Sequence, residues 1–347
     1  SATTGSERLG PRGSVSPAEH AVDMPTTYAP GLLPELDWYP KPYGPGDIDG
    51  SGALNLLGAP SVDLTELLVR ETAQNSWDAK LEYTALRFGM HLRTLTEQQR
   101  DIMLRSVVRS GADHLPLSDS LTKVDLRVLE ISDHGTCGLN GPTRNDIHIP
   151  EGVPRNYVDL ILNVGARPDR LGAGTYGFGK TVAYTSSQAR TVVYWSRCWV
   201  DSVIEDRFVV SGIGENFDIG GKRFTGRHWW GRATDDRVEP MAGNQARTLA
   251  HALFSSRYEA DETGTSILII DPVLEQDDPA KYMIGLRNAI LTHLWPKLVE
   301  DPDHTRMQIE LKLEGEIHPI PDPNSVPVLS PFVECLRALR AKQQGDD

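Results

Sequence analysis

Between Asp63 and Lys80 the chain carries neither glycine nor proline, and Leu64, Leu67 and Leu68 recur at helical spacing. An Asp or Thr stands near the start, where a side-chain oxygen caps free N–H groups, so the pattern predicts an amphipathic helix. The apolar stripe then runs into Glu71, Asn75 and Asp78 instead of further apolar residues. A helix whose far end emerges into solvent produces such a stripe. So does a helix whose polar groups meet a ligand and a metal, because burying them unpaired costs roughly 1–3 kcal/mol each.

Further along, residues 96–108 read as a second helix and 124–131 alternate like a half-buried strand. Residues 157–164 predict a short apolar helix, 181–184 a helical start, and 191–195 and 208–213 strands. His228-Trp229-Trp230-Gly231 lies in a Gly/Arg-rich stretch and reads as a loop, with its aromatics plugging the sheet. A helix over 244–254, a buried strand over 264–271 and a helix over 281–294 follow. A hairpin, 307–313 and 317–320, then turns at 314–316, and a short helix covers 332–339. Residues 1–60 are rich in Gly, Pro, Ser and Thr and read as a mobile leader and an extended arm. Trp38-Tyr39 and residues 54–57 are its anchors, on this domain or on a partner. The division expected is an arm over 1–60, a core domain over 61–271 and an extension over 272–347.

With 39% hydrophobic and 24% charged residues, the 347-residue chain has the composition of a globular protein with ample core. No apolar run reaches the ~20 residues of a membrane span, so no membrane is expected. Cys137, Cys198 and Cys335 are odd in number and not in metal spacing, which points to free thiols in a reducing cytoplasm. The formal net charge of −13 disfavours bulk attraction to nucleic acid, but leaves room for a local basic groove.

Candidate chemistry gathers at glycines. Asp133-x-Gly135-x-x-Gly138 follows a strand, as in a tight turn where backbone approaches a ligand. The cluster from Gly172 to Thr181 offers N–H groups for an anion, and Lys180 adds charge. Its second part, Gly174 to Thr181, matches the P-loop pattern G-x-x-x-x-G-K-S/T, with Asp271 ending an apolar strand as the candidate magnesium ligand. A P-loop, however, needs a buried strand feeding it, and Ala166 to Leu171 is polar and contains Pro168.

Four stretches taken together support another reading. Glu71…Asn75…Asp78, then Asp133-x-Gly135-x-x-Gly138, then the glycine cluster ending at Lys180, then Gly264-Thr265 resemble the Bergerat nucleotide site. That site belongs to the GHKL superfamily of gyrase, ninety-kilodalton heat-shock chaperones, histidine kinases, MutL and MORC ATPases. The resemblance covers about 60 to 271 and implies an α/β (α+β two-layer) fold, a mixed sheet covered by helices on one face. It implies ATP and Mg²⁺ as cofactors, with Glu71 as general base, Asn75 as metal ligand and Asp78 on the pocket floor. Asp133 would accept from the adenine amino group, and Gly135 and Gly138 would let backbone approach the base and the lid. Gly174, Tyr176, Gly177, Phe178 and Gly179 would form the lid, with Lys180 on the terminal phosphate and Thr265 in contacts to adenine.

Glu71 favours the hydrolysing members, and no histidine-bearing dimerisation helix precedes it. The resemblance thus implies an ATPase clamp, homodimeric when ATP-bound, with partner proteins or DNA as its target. DNA maintenance or anti-phage defence is the implied setting. The stretch after Asp271 is short for the domain that supplies a catalytic Lys or Arg in relatives, as expected for the N-terminal portion of a longer protein. The P-loop enzyme and a non-hydrolysing ATP-sensing module stand as alternatives.

Overall fold

The computed structural model describes residues 33–47, 49, 50, 52, 63–82, 84–163, 178–300 and 306–345, with backbone alone at 178–180 and 344–345. In chain order come β1 (Asp37–Pro42), α1 (Leu64–Asp78), β2 (Arg87–Thr94), α2 (Glu97–Ile102), α3 (Leu117–Leu121) and β3 (Arg127–His134). A single wide turn, Val158–Leu162, precedes α4 (Phe178–Thr185), β4 (Thr191–Val200), β5 (Val203–Ile213), β6 (Phe217–Ile219) and β7 (Lys222–Ala233). The chain continues through β8 (Val238–Glu239), β9 (Met241–Ala242), α5 (Gly243–Leu253), β10 (Gly264–Ile270) and α6 (Pro279–Leu298). It closes with β11 (Gln308–Leu313), β12 (Glu316–Ile317) and α7 (Ser330–Gly345).

The strands form one mixed sheet in the order β1-β7-β5-β4-β10-β3-β2-β11-β12. β11 runs parallel to β2, whereas β3 is antiparallel to both β2 and β10. Successive side chains of a strand point to opposite faces, and here both faces are apolar. Leu129, Ile131, Val192, Tyr194, Val209 and Ile269 pack with Leu67, Leu68 and Val69 of α1, Val182 and Tyr184 of α4, and Leu286 and Ile290 of α6. Val128, Val193, Trp195, Phe208, Val210, Leu268 and Ile270 pack with Ile102 of α2, Leu117 of α3, and Leu249 and Leu253 of α5. The α/β fold with a mixed sheet is as expected, but helices on one face alone is corrected to helices on both. For the same reason β3 is buried on both sides, not half-buried, and it lies three residues later than its alternation indicated.

α1 forms as its pattern dictates. The Asp63 carboxylate accepts from the N–H groups of Thr65 (2.8 Å) and Glu66 (3.1 Å), and Leu67, Leu68, Val69 and Ala73 are buried. Burial of each such leucine stabilises the fold by about 1.5–3 kcal/mol. α2 likewise starts at a capping box on Thr96 and Gln99, then widens over Met103–Val107.

The His228-Trp229-Trp230 stretch is strand, not loop. It lies in β7, with Trp229 in one core and Trp230 in the other. Its Gly226 takes φ +82°, and a Cβ there would stand 2.4 Å from the carbonyl oxygens of Gly214 and Glu215, so both conditions call for glycine. β1 of the arm pairs with β7, and Trp38 stacks on His114 (5.3 Å) while donating to His228 Nδ1 (3.1 Å). Between 37 and 42 the arm therefore packs on its own domain. Residues 1–32 and 54–57 lie outside the described residues.

A buried ion pair ties the two layers behind the site together. Glu130 of β3 accepts from Arg93 Nε (3.2 Å) and Nη2 (3.0 Å) and from the N–H groups of Ser255 (2.8 Å) and Ser256 (2.7 Å). Arg93 also donates to the Leu253 carbonyl at the end of α5 (2.6 Å). Burial alone would raise the Glu130 pKa, but Arg93 and these N–H donors hold it below the usual range. Removing one partner strands the other, so Glu130→Ala is expected to lower unfolding free energy by about 3–5 kcal/mol in denaturant titration.

Candidate functional site

A cavity of about 320 Å³ opens where the ends of β3 and β10 meet α1, the 135–139 turn, the Val158–Leu162 turn and α4. That is within the size of a small-molecule pocket. Asp133, the next-to-last residue of β3, stands across from Thr265 in the antiparallel register with β10. Its Oδ1 accepts from Thr136 Oγ1 (2.6 Å) and from the Thr265 N–H (2.9 Å), and its Oδ2 from Ser76 Oγ of α1 (2.8 Å). Burial pushes its pKa above the usual aspartate value, against these three donors, which pull it down.

The neighbouring glycines are steric requirements of this junction. Gly264 lets β10 lie where a Cβ would stand 2.1 Å from the Asp133 carbonyl oxygen. Gly138, at φ +63°, would place a Cβ 2.5 Å from the Arg197 carbonyl, and Gly135, at φ +83°, 2.5 Å from that of Ala85. Gly138 lines the cavity, whereas Gly135 does not. Beyond them Ser196 Oγ accepts from the Leu139 N–H (2.7 Å), lies 3.1 Å from Thr265 Oγ1 and donates to the Gly264 carbonyl (3.0 Å).

Of the sequence candidates, Asn75, Asp78, Asp133, Gly138 and Thr265 line this one cavity. Asn75 and Asp78 are exposed on its α1 wall, and Asp78 accepts from Gln74 Nε2 (2.6 Å). Glu71 sits one turn before Asn75, buried, with its carboxylate 3.1 Å from Arg70, and is not among the lining residues. Gly174, Tyr176 and Gly177 lie outside the described residues. Phe178, Gly179 and Lys180 form the first turn of α4, whose Ala183 reaches the cavity.

Sequence reading missed Ser76, Thr136, Cys137, Leu139, Asn156, Asp159 and Tyr194, all of which line the cavity. Thr136 was within reach, since it stands between the two glycines of the 133–138 pattern. Asn156 and Asp159 were not, because nothing local relates them to Asp133. Burial, then the nearby Asp133 charge, push the Cys137 thiol up, which leaves it a poor nucleophile at neutral pH.

The P-loop alternative requires Asp271 beside Lys180 and Thr181. Asp271 instead sits at the far end of β10 from Thr265, its carboxylate taken by Ser120 Oγ (2.6 Å), Lys123 Nζ (2.6 Å) and Gln188 Nε2 (3.3 Å). Its carbonyl accepts from the Gln188 N–H (2.8 Å), just past the C-terminus of α4. Thr181 to the end of α4 at Thr185 is about 6 Å at helical rise, and the Gln188 contact lies beyond that end. The arrangement does not bring the three residues together.

The described lining residues carry three carboxylates, Asp78, Asp133 and Asp159, and no Lys, Arg or His. These walls suit an uncharged ligand with donors to offer and repel an anion. Among the described residues no group of three or more His, Cys, Asp and Glu is placed to hold a metal. A magnesium ion does not need such a cage, because it keeps waters and takes its charge from phosphate oxygens plus one or two protein oxygens. Asn75 offers such an oxygen. No described helix is long and apolar enough to cross a membrane.

No family model and no curated protein matches the chain. Solved structures similar to it include the ATPase region of Saccharomyces cerevisiae topoisomerase II bound to ICRF-187 (dexrazoxane), at 10% identity and TM-score 0.35. That likeness covers 73% of this chain and 48% of the other. The same region in a second structure gives 11% identity and TM-score 0.33, again covering 73% and 48%. The ATPase and transducer domains of topoisomerase II from Balamuthia mandrillaris give 11% and 0.32, covering 89% of this chain and 60% of that one. The chain thus spans about half the length of the first two structures. The chemistry of the pocket rests on its own residues.

Proposed function

We propose that the cavity on Asp133 is an adenine-nucleotide site of GHKL type, and that the chain binds ATP with Mg²⁺ and hydrolyses it. The observation that carries this reading is the Asp133 carboxylate at the junction of β3, β10 and α1, held by Thr136, Ser76 and Thr265. An ionised carboxylate has about four acceptor sites, and three are used. The fourth accepts the adenine 6-amino group and rejects guanine, which presents a carbonyl there.

The phosphates then leave the acidic walls toward Asn75 and the start of α4, where a helix N-terminus favours an anion. Asn75 would hold the magnesium ion, and Gly174, Tyr176, Gly177, Phe178 and Gly179 would form the lid, with Lys180 pairing with terminal phosphate oxygens. The nucleotide cycle opens and closes a homodimer in the cytoplasm, acting on DNA or on partner proteins.

Because the described walls lack a cation, the metal has to carry much of the phosphate charge. Chelating Mg²⁺ with EDTA is therefore expected to weaken ATP binding at least tenfold and leave adenosine binding unchanged, as read by calorimetric titration. Equal loss for both ligands contradicts this division of the site.

Burial of Glu71 outside the cavity lining, against Arg70, supports a second reading: a module that senses ATP without turning it over. A phosphate-release assay on the wild-type protein separates the two.

A further inference from the structure

Resting on the nucleotide reading, we propose that Asp159 and Asn156 form a subsite for the ribose hydroxyls, so that the site takes ribonucleotides in preference to deoxyribonucleotides. Both residues line the cavity, at the start of the Val158–Leu162 turn.

The Asn156 amide donates to Asn140 Oδ1 (2.7 Å) and to Cys137 Sγ (3.2 Å). With both its N–H bonds engaged, the side chain presents only its carbonyl oxygen. Asp159 Oδ1 lies 3.7 Å from Arg155 Nε and 3.5 Å from Asn163 Nδ2, contacts that hold the carboxylate from either side along the turn. Its Oδ2 has no hydrogen-bond or ion-pair partner among the described residues. This wall therefore offers acceptors and no donor.

A nucleotide brings few donors to meet it. The adenine amino group belongs to Asp133, and phosphate oxygens only accept and are repelled by Asp159. The ribose 2′- and 3′-hydroxyls remain. A carboxylate placed to accept from ribose hydroxyls is an arrangement that dinucleotide sites on other folds also use. The same charges fix the ligand's direction: base on Asp133, sugar against Asn156 and Asp159, phosphates beyond them.

The experiment measures binding of ATP, 2′-deoxy-ATP and 3′-deoxy-ATP in Mg²⁺ to the wild-type chain, Asp159→Ala and Asp159→Asn. For the wild type, at least one deoxy analogue is expected to bind about tenfold more weakly than ATP, the size of one lost hydrogen bond to a half-exposed charged acceptor. Asp159→Ala is expected to weaken ATP by a similar factor and abolish the discrimination, with Asp159→Asn in between. Wild-type indifference to both deoxy analogues, or discrimination retained in Asp159→Ala, overturns the subsite. So does an Asp159→Ala variant that loses Mg²⁺ affinity while still discriminating, which makes Asp159 a metal ligand. Failure of the wild type to bind ATP or adenosine at all rejects the nucleotide reading itself, and is told apart because no analogue then binds.

Discussion

Asp133→Asn is expected to weaken ATP binding about a hundredfold or more while leaving the folded structure in place. The amide oxygen keeps the Thr136 hydroxyl and the Thr265 N–H, and the new Nδ2 faces Ser76 Oγ, which accepts as readily as it donates. Toward the base, however, an amino group now meets an amino group. Losing a hydrogen bond to a charged acceptor costs about 1.5–3 kcal/mol, and the donor–donor conflict adds to it. Asp133 also sets a pH limit. Burial raises its pKa, with Thr136, Ser76 and Thr265 opposing, so affinity falls as pH drops through a value above the usual aspartate range. The stability sign runs the other way. A carboxylate whose folded pKa is raised weakens the fold as pH rises through that value, so Asp133→Asn is not expected to melt lower at neutral pH without nucleotide. Calorimetric titration and thermal melting check both halves. A variant that binds ATP normally removes Asp133 from the site.

The second large effect concerns turnover. Glu71→Gln is expected to slow ATP hydrolysis by about 10²- to 10⁴-fold, the usual contribution of a general base, with ATP affinity retained. The amide keeps the shape of a side chain that is buried in α1 and leaves Asn75, one turn on, in the cavity wall. Phosphate release and nucleotide binding, measured separately, read the outcome. Unchanged turnover removes Glu71 as the base, and absence of turnover in the wild type favours the sensing module.

The part of the cavity wall around Asp133 was legible in the sequence because its pieces carry local signatures. An acid at a strand end followed by spaced glycines, a Gly-Thr pair opening a strand, and an amphipathic helix turning polar are each visible within a few residues. The structure brings Asp133, Thr265, Asn75 and Asp78 to one cavity, and leaves Glu71 outside its lining. Ser76 escaped notice because a buried serine inside a helix resembles any other small residue until its partner is known. Asn156 and Asp159 depend on how the long 139–157 connection returns to the pocket, which no local pattern records.

The fold was less legible where glycine misled. β7 holds Gly226 and Gly231 at close backbone approaches, which in sequence resemble loop punctuation. β2 alternates Phe88, Met90 and Leu92 with polar residues, but Gly89 and two arginines obscured it. The second helical layer was missed for another reason. Continuous apolar strands such as β4 do not say which helices cover which face, and that depends on contacts distant in sequence.

The central claim is that the Asp133 cavity holds an adenine nucleotide. A crystal structure with a non-hydrolysable ATP analogue and Mg²⁺ tests it most directly. The adenine amino group is expected within hydrogen-bond distance of Asp133, and the metal on the Asn75 amide oxygen. A nucleotide seated elsewhere, with its magnesium on Asp271 and its phosphates on Lys180 and Thr181, would contradict it.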